Sequence, residues 1–315
     1  MSRTSALPRT DHGSAPADGP AAGWERDQDR VPGGARGLGT DGAEVSLTDG
    51  GRDLVTSSGQ ATVAELGIET FATVDLEELW GLADLQQRYD RKFVVEVALL
   101  PRLLEALGPV HVLEVDGRRS TAYTSIYFDT PDLRTYRDHL QRRRRRFKIR
   151  TRHYGDPVAA MLEVKCKGLR GQTVKHRREH PGPGPSELGE EAERFIAEVL
   201  AREYDQEPPG ELAPIAESRF ERITLVDVDA HERITIDLDL AVSANGRALR
   251  LGAEHAVVET KSPVRSGSAA RSLMQLGLRP ERVSKYCVGI AALHDHVRGN
   301  PWMPVLRRLD ADYAS

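Results

Sequence analysis

Five segments of the chain alternate with a period of two, and the polar set in each carries charge: lysine, arginine and glutamate in most, arginine and aspartate in one. They lie at 147–152, 162–167, 173–177, 233–240 and 257–261. In a β-strand successive side chains point to opposite faces. Lys148, Arg150 and Arg152 therefore share a face, with Arg146 next in line. Glu163, Lys165 and Lys167 share another, opposed by Leu162, Val164 and Cys166. Thr173, Lys175 and Arg177 fall together. Arg233, Thr235, Asp237 and Asp239 oppose Ile234, Ile236, Leu238 and Leu240, and Glu259 shares a face with Lys261. One reading is an antiparallel sheet with a wet polar side and an apolar core side. The other turns the charged rows inward. Like charges on neighbouring strands repel, so repeated cationic rows call for an anion between them.

Eight strands are expected, near 91–97, 121–128, 142–154, 158–167, 172–180, 217–227, 230–240 and 256–262. Helical spacing predicts helices at 99–107, 187–203, 268–276 and 284–297, with a short lead-in helix carrying Leu76, Leu79 and Leu82. An eight-stranded closed sheet is just wide enough inside for side chains or one small ligand. The expected fold is α+β: an eight-stranded antiparallel β-barrel tunnel with flanking helices, spanning 74–298. Residues 1–60 hold 11 Gly and 4 Pro with little periodic hydrophobicity. The segment 1–73 reads as a disordered acidic tail, and 299–315 as a C-terminal tail.

Charge is unevenly spread. Residues 1–75 hold 12 acidic and 6 basic side chains, whereas nine of the sixteen residues from Arg137 to Arg152 are Lys or Arg. Such local density suits a polyanion, while the overall pI of 6.2 argues against a general DNA-coating protein. The five consecutive arginines at 142–146 leave three readings open: phosphate steering at a tunnel mouth, nucleic-acid contact, or a solvated turn. Two cysteines cannot make a disulfide framework. No zinc spacing, Walker loop or dinucleotide fingerprint is present, no apolar run reaches membrane-spanning length, and no signal-peptide pattern is seen. A cytoplasmic setting is expected.

The segments LQQRYDRKF (85–93), SIYFDTPDLRTYRDHL (125–140), RRFKIRTRHYG (145–155), LEVKCKG (162–168), RFERITL (219–225), ERITIDLDL (232–240), AVVETKSP (256–263) and SKYC (284–287) occur in this order. Together they resemble the polyphosphate-polymerase domain of the vacuolar transporter chaperone (VTC) complex, within the triphosphate tunnel metalloenzyme, or CYTH-like, superfamily. The resemblance implies an ATP-polyphosphate phosphotransferase. It implies that Lys92, Arg146, Lys148, Lys167, Lys175, Arg222, Arg233, Lys261 and Lys285 bind substrate phosphates. Arg150, Arg152, Lys165 and Glu259 would act at the reacting phosphoryl group. Glu259, with Glu163 as a second candidate, would hold a divalent Mn or Mg. Arg222 and Arg233 have a plainer reading as ion-pair partners of Glu221 or Asp237. The implied partners are ATP and inorganic polyphosphate, with no stable nucleic acid. The phosphate-sensing helical domain and membrane helices of eukaryotic members are not read here, so a membrane-protein partner stays open. The acidic first strand of the triphosphate hydrolases is missing around Lys92 (RYDRKFVVE), which favours the polymerase branch. Two competing classes are a triphosphate hydrolase on the same fold and a non-catalytic polyphosphate or nucleic-acid binding module.

Overall fold

A computed structural model describes residues 63–83, 88–155, 160–168, 172–182, 184–250, 254–309 and 312–314. Of the tail expected at 1–73, residues 1–62 lie outside the described residues. Strands β1 (Thr73–Val74), β2 (Tyr89–Glu96), β3 (His111–Leu113), β4 (Thr121–Asp129), β5 (Phe147–Tyr154), β6 (Met161–Lys167), β7 (Thr173–Glu179), β8 (Ala213–Asp227), β9 (Glu232–Ala244), β10 (Arg247–Arg250), β11 (His255–Ser262) and β12 (Asp312–Ala314) form one sheet. Helices are α1 (Leu76–Ala83), α2 (Leu100–Leu107), α3 (Arg134–Leu140), α4 (Gly189–Tyr204), α5 (Ser268–Gln275), α6 (Lys285–Leu293) and α7 (Met303–Arg308).

A continuous antiparallel path runs β2-β11-β9-β8-β4-β5-β6-β7. Its outer surface is apolar. Ile149, Leu162, Val164 and Cys166 pack under Ile196, Val199 and Leu200 of α4. Phe93, Val258, Ile223, Leu225 and Ile236 pack under α2 and α5. The inner surface near Tyr127, Phe220 and Val257 is covered by α6 and α7. The charged rows thus turn away from the layers of α2, α4 and α5, as a sheet with one greasy side requires.

Four expectations are corrected. First, the barrel does not close: among the described residues no ladder joins β2 to β7. The free edge of β2 is met instead by the loop before α6, where the Glu281 N–H donates to the Lys92 carbonyl at 2.7 Å. A covering loop is a common way to blunt an exposed strand edge. Second, residues 142–146 are a turn rather than strand, with Arg142 in the left-handed region (φ 55°). Third, the alternation in β9 breaks. The β8–β9 register shifts between Arg219 and Glu221, and Asp239 has φ 50°. An extra residue in one strand sends the following side chains to the other face, so Leu238 joins the outer cluster and Leu240 the inner one. Fourth, both expected tails contribute to the packed domain. Val63, Leu66 and Ile68 pack with the α2 cluster, and Trp302, Val305, Leu306 and Leu309 pack with α6.

Two buried carboxylates hold helices in place. Glu232 accepts from the N–H groups of Ser268 and Ala269 and from the Ser268 hydroxyl, which caps α5. Asp129, fully buried, does the same for α3. Carboxylates at helix N-termini satisfy donors that have no partner within the helix. Helix α6 lies hard against β9: a Cβ built on Gly289 would fall 2.2 Å from Cγ1 of Val242.

Candidate functional site

The inner face carries two charged clusters. In the first, Glu259 of β11 sits between Lys92 (2.5 Å) and Lys261 (3.1 Å). Strand register sets this up, because Glu259 lies opposite Lys92 and Thr235, and Lys261 opposite Asp90 and Arg233. Beside it, Asp237 receives two bonds from Arg222, at 2.6 and 2.8 Å, and one from Lys285. Lys285 opens α6, where Ser284 caps the helix by accepting from the Cys287 N–H. In the second cluster, Arg150 and Glu163 face each other across β5 and β6. Arg150 grips Glu163 through Nε at 2.6 Å and through its terminal nitrogen, and Lys175 lies 3.9 Å away.

Aromatic and hydroxyl groups join the clusters. The Tyr123 ring lies 5.1 Å from the Arg152 guanidinium and 4.8 Å from that of Arg222. Lys285 stands 4.2 Å from the Phe220 ring. Lys148 donates to the Ser284 hydroxyl at 2.6 Å, tying β5 to the start of α6.

Electrostatics record a surplus of buried positive charge. Lys165 is pushed well below the usual lysine range, first by the Arg150 charge and then by burial. Lys261 falls to about 7, because burial and the Arg233 and Lys92 charges outweigh Glu259. Lys285 is lowered by burial, which Asp237 only partly offsets. For Glu163 and Glu259 burial acts upward, yet neighbouring cations hold both well below the carboxylate range. Even the Tyr127 phenol is lowered, since Arg150, Arg152 and Lys285 overcome its burial.

Most residues singled out in the sequence meet on this face. Arg222 does pair with Asp237, whereas Arg233 lies beside Lys261 and contributes to lowering it. Arg146 and Lys167 stand apart at the edge. Arg146 turns its guanidinium to the Arg143 carbonyl, and Lys167 feels Arg146 and Asp90. Sequence reading missed Tyr123, Ser125 and Tyr127 of β4, although strand alternation puts all three on one face. Arg152 donates to the Ser125 hydroxyl at 3.0 Å.

The same charges reach one half-buried imidazole. His139 is held neutral, pushed down to about 2 by burial and by Lys148, with Arg146 adding to the effect. His153, His176 and His294 are also lowered by burial. An unfolded imidazole titrates near ~6.5. Below that value the unfolded chain takes up protons that these folded sites resist, so their stabilisation is present above ~6.5 and lost as pH falls. Urea unfolding midpoints should therefore drop between about pH 7 and pH 5. Replacing His139 by Gln should flatten the drop, and equal midpoints for the native chain at both pH values would contradict this account.

Among solved structures, an adenylate cyclase candidate from Bacillus halodurans aligns with 14% identity and a TM-score of 0.34, covering 59% of this chain and 86% of that one. An adenylyl cyclase candidate from Hippeastrum, described as having a dominant triphosphatase activity, aligns with 14% identity and a TM-score of 0.42, covering 66% and 97%. The PH1819 protein of Pyrococcus horikoshii OT3 gives 16% identity and a TM-score of 0.35, covering 64% and 95%. No curated protein matches the sequence. The family model described as the VTC domain matches residues 87–294, well over half of the 315 residues and every strand of the charged face. The chain belongs to the VTC domain family.

Proposed function

We propose that the protein is a polyphosphate polymerase that moves the γ-phosphoryl group of ATP onto the end of a polyphosphate chain lying on the inner face. The observation that carries this reading is the crowding of cations on the inner face: Arg150 and Lys175 gather around Glu163, and Lys92, Lys261, Arg222 and Lys285 around Glu259 and Asp237, so that Lys165, Lys261 and Lys285 are all lowered from the usual lysine range. A run of phosphates would restore their charge, and a chain of closely spaced anions matches rows contributed by β2, β5, β6, β7, β8, β9, β11 and α6.

In the transfer, the bond between the γ-phosphorus and the β,γ-bridging oxygen breaks and ADP leaves with that oxygen. A terminal oxygen of the polyphosphate forms the new bond, and the chain lengthens by one phosphate. The acceptor is already ionised, so no general base is required. Phosphoryl transfer passes through a loose transition state with charge spread over its oxygens, and positioning with charge stabilisation suffices. Arg150, Arg152 and Lys165 would meet that charge. Lys92, Lys148, Lys167, Lys175, Arg222, Arg233, Lys261 and Lys285 would hold the flanking phosphates, with Arg146 at the rim.

Among the described residues, no three His, Cys, Asp or Glu side chains converge to form a protein-only metal cage. Magnesium sites at phosphates commonly use one or two carboxylates, with phosphates and water supplying the rest. Glu259 fits that role, and a divalent Mg or Mn there would neutralise part of the triphosphate charge. Glu163 is the second candidate: each glutamate faces a cation at both oxygens, but Glu163 is only 2% exposed whereas Glu259 is 15% exposed and so more open to a metal carried on a phosphate.

The test is incubation with ATP and Mg or Mn, read by gel staining for long polyanions and by nucleotide analysis. Long polyphosphate with ADP is the expected product, and Glu259→Gln should abolish it. Free phosphate alone would replace the proposal by a hydrolase, and binding without turnover would replace it by a binding module.

A further inference from the structure

The turn at 141–146 carries charge that the phosphoryl transfer does not use. Arg142, Arg143, Arg144 and Arg145 are exposed. Their backbone is nevertheless pinned. The N–H groups of Arg142 and Arg143 donate to the carbonyls of His139 and Asp138, and the Arg146 guanidinium closes the turn on the Arg143 carbonyl at 2.6 Å. Asp138, shared by Arg134 and Arg143, takes up part of the local charge. The guanidinium groups of Arg142, Arg144 and Arg145 have no partner among the described residues.

The turn feeds straight into β5. Arg146 leads to Lys148, Arg150 and Arg152 on the inner face, and the Lys167 N–H bonds the Arg146 carbonyl at 3.0 Å. Cationic charge therefore runs without a break from open solvent to the buried cleft.

We propose that the arginine turn is an external track for the substrate chain: a polyphosphate longer than the buried face continues over Arg142, Arg144 and Arg145. This rests on the polyphosphate reading above. Exposed cations cost little desolvation and steer a polyanion through long-range attraction that salt screens. Each contact is weak, but a chain charged at every unit meets several at once. A pinned backbone limits the ordering cost to the side chains. The turn contains no aromatic residue, so it lacks the stacking platform by which proteins hold single-stranded nucleic acid.

The experiment compares the full chain with an Arg142→Ser/Arg144→Ser/Arg145→Ser variant. Affinities are measured across a salt series for tripolyphosphate, long-chain polyphosphate and a single-stranded oligonucleotide. Long-chain binding should weaken about 10-fold in the variant, with a salt slope shallower by about 2, near 0.7 per lost contact for three contacts. Tripolyphosphate binding should be unchanged. Unchanged long-chain affinity would overturn the track, as would an equal loss for both polyphosphates. An oligonucleotide bound as tightly as long polyphosphate, and lost in the same variant, would make the turn a nucleic-acid patch and overturn it too. A Lys165→Met variant judges the cleft separately. If it binds tripolyphosphate as the native chain does, the polyphosphate reading of the inner face fails, and the track fails with it.

Discussion

Arg150→Ala is expected to slow polyphosphate synthesis by ~10²–10³, the usual effect of removing one preorganised donor to a transition-state oxyanion. It should also destabilise the fold, because Glu163 is only 2% exposed and would lose its main partner. Breaking a buried ion pair from one side costs about 3–5 kcal/mol. The low end applies here, since Lys175 remains 3.9 Å away. The two effects separate in an Arg150→Met/Glu163→Gln double variant, where no buried carboxylate is left without its main partner. Its urea midpoint should return close to the native one while its synthesis rate stays low. If the double variant recovered both, Arg150 would be a structural residue alone. Native synthesis in stable Arg150→Ala would remove it from the reaction altogether.

Asp129→Ala should have the largest effect on stability. Its carboxylate accepts from the Thr130 N–H, the Thr135 N–H, the Thr135 hydroxyl and the Tyr136 N–H at 2.8–2.9 Å, and from the Tyr286 hydroxyl. Alanine leaves buried donors at the start of α3 and on α6 without an acceptor. Each such group costs about 1–3 kcal/mol, so a loss of about 4 kcal/mol or more is expected, a large share of a typical domain's 5–15 kcal/mol. Tyr286→Phe removes one donor and should cost only about 1 kcal/mol. Equilibrium urea unfolding of both variants checks the ranking. An Asp129→Ala chain as stable as Tyr286→Phe would mean that the carboxylate is not the hub the geometry indicates.

The charged rows of β5, β6, β7 and β11 were readable in advance because a period of two, one face apolar, determines which side chains travel together. What interrupted the pattern was less readable. The sequence alternates straight through Asp239, so nothing in it marks the bulge that sends Leu240 inward. The arginine run looked like strand because charge density hides periodicity, whereas the backbone turns at Arg142. Helix α3 escaped notice because its cap is not the residue before it. Leu133 stands there in the left-handed region, and the acceptor for the first free N–H groups is Asp129, several residues earlier in β4. Closure of the sheet was inferred from strand number, yet number alone does not say what covers the two edges. The gathering of the cationic rows was legible residue by residue. The aromatic and hydroxyl groups among them were not, because Tyr123, Ser125 and Tyr127 read as ordinary strand residues until their neighbours are known.

Gly289 sits four residues after Lys285 on α6, about one turn further along the same side of the helix, with Val242 where a methyl group would have to go. Missing bulk there works as a depth stop. It lets the backbone of α6 settle one atom's width closer to β9 and so fixes how far the ammonium of Lys285 reaches toward Asp237. The calibration of a long, supple side chain is entrusted to the shortest residue available. Adding a single carbon at 289 would retract the lysine without touching any charged group.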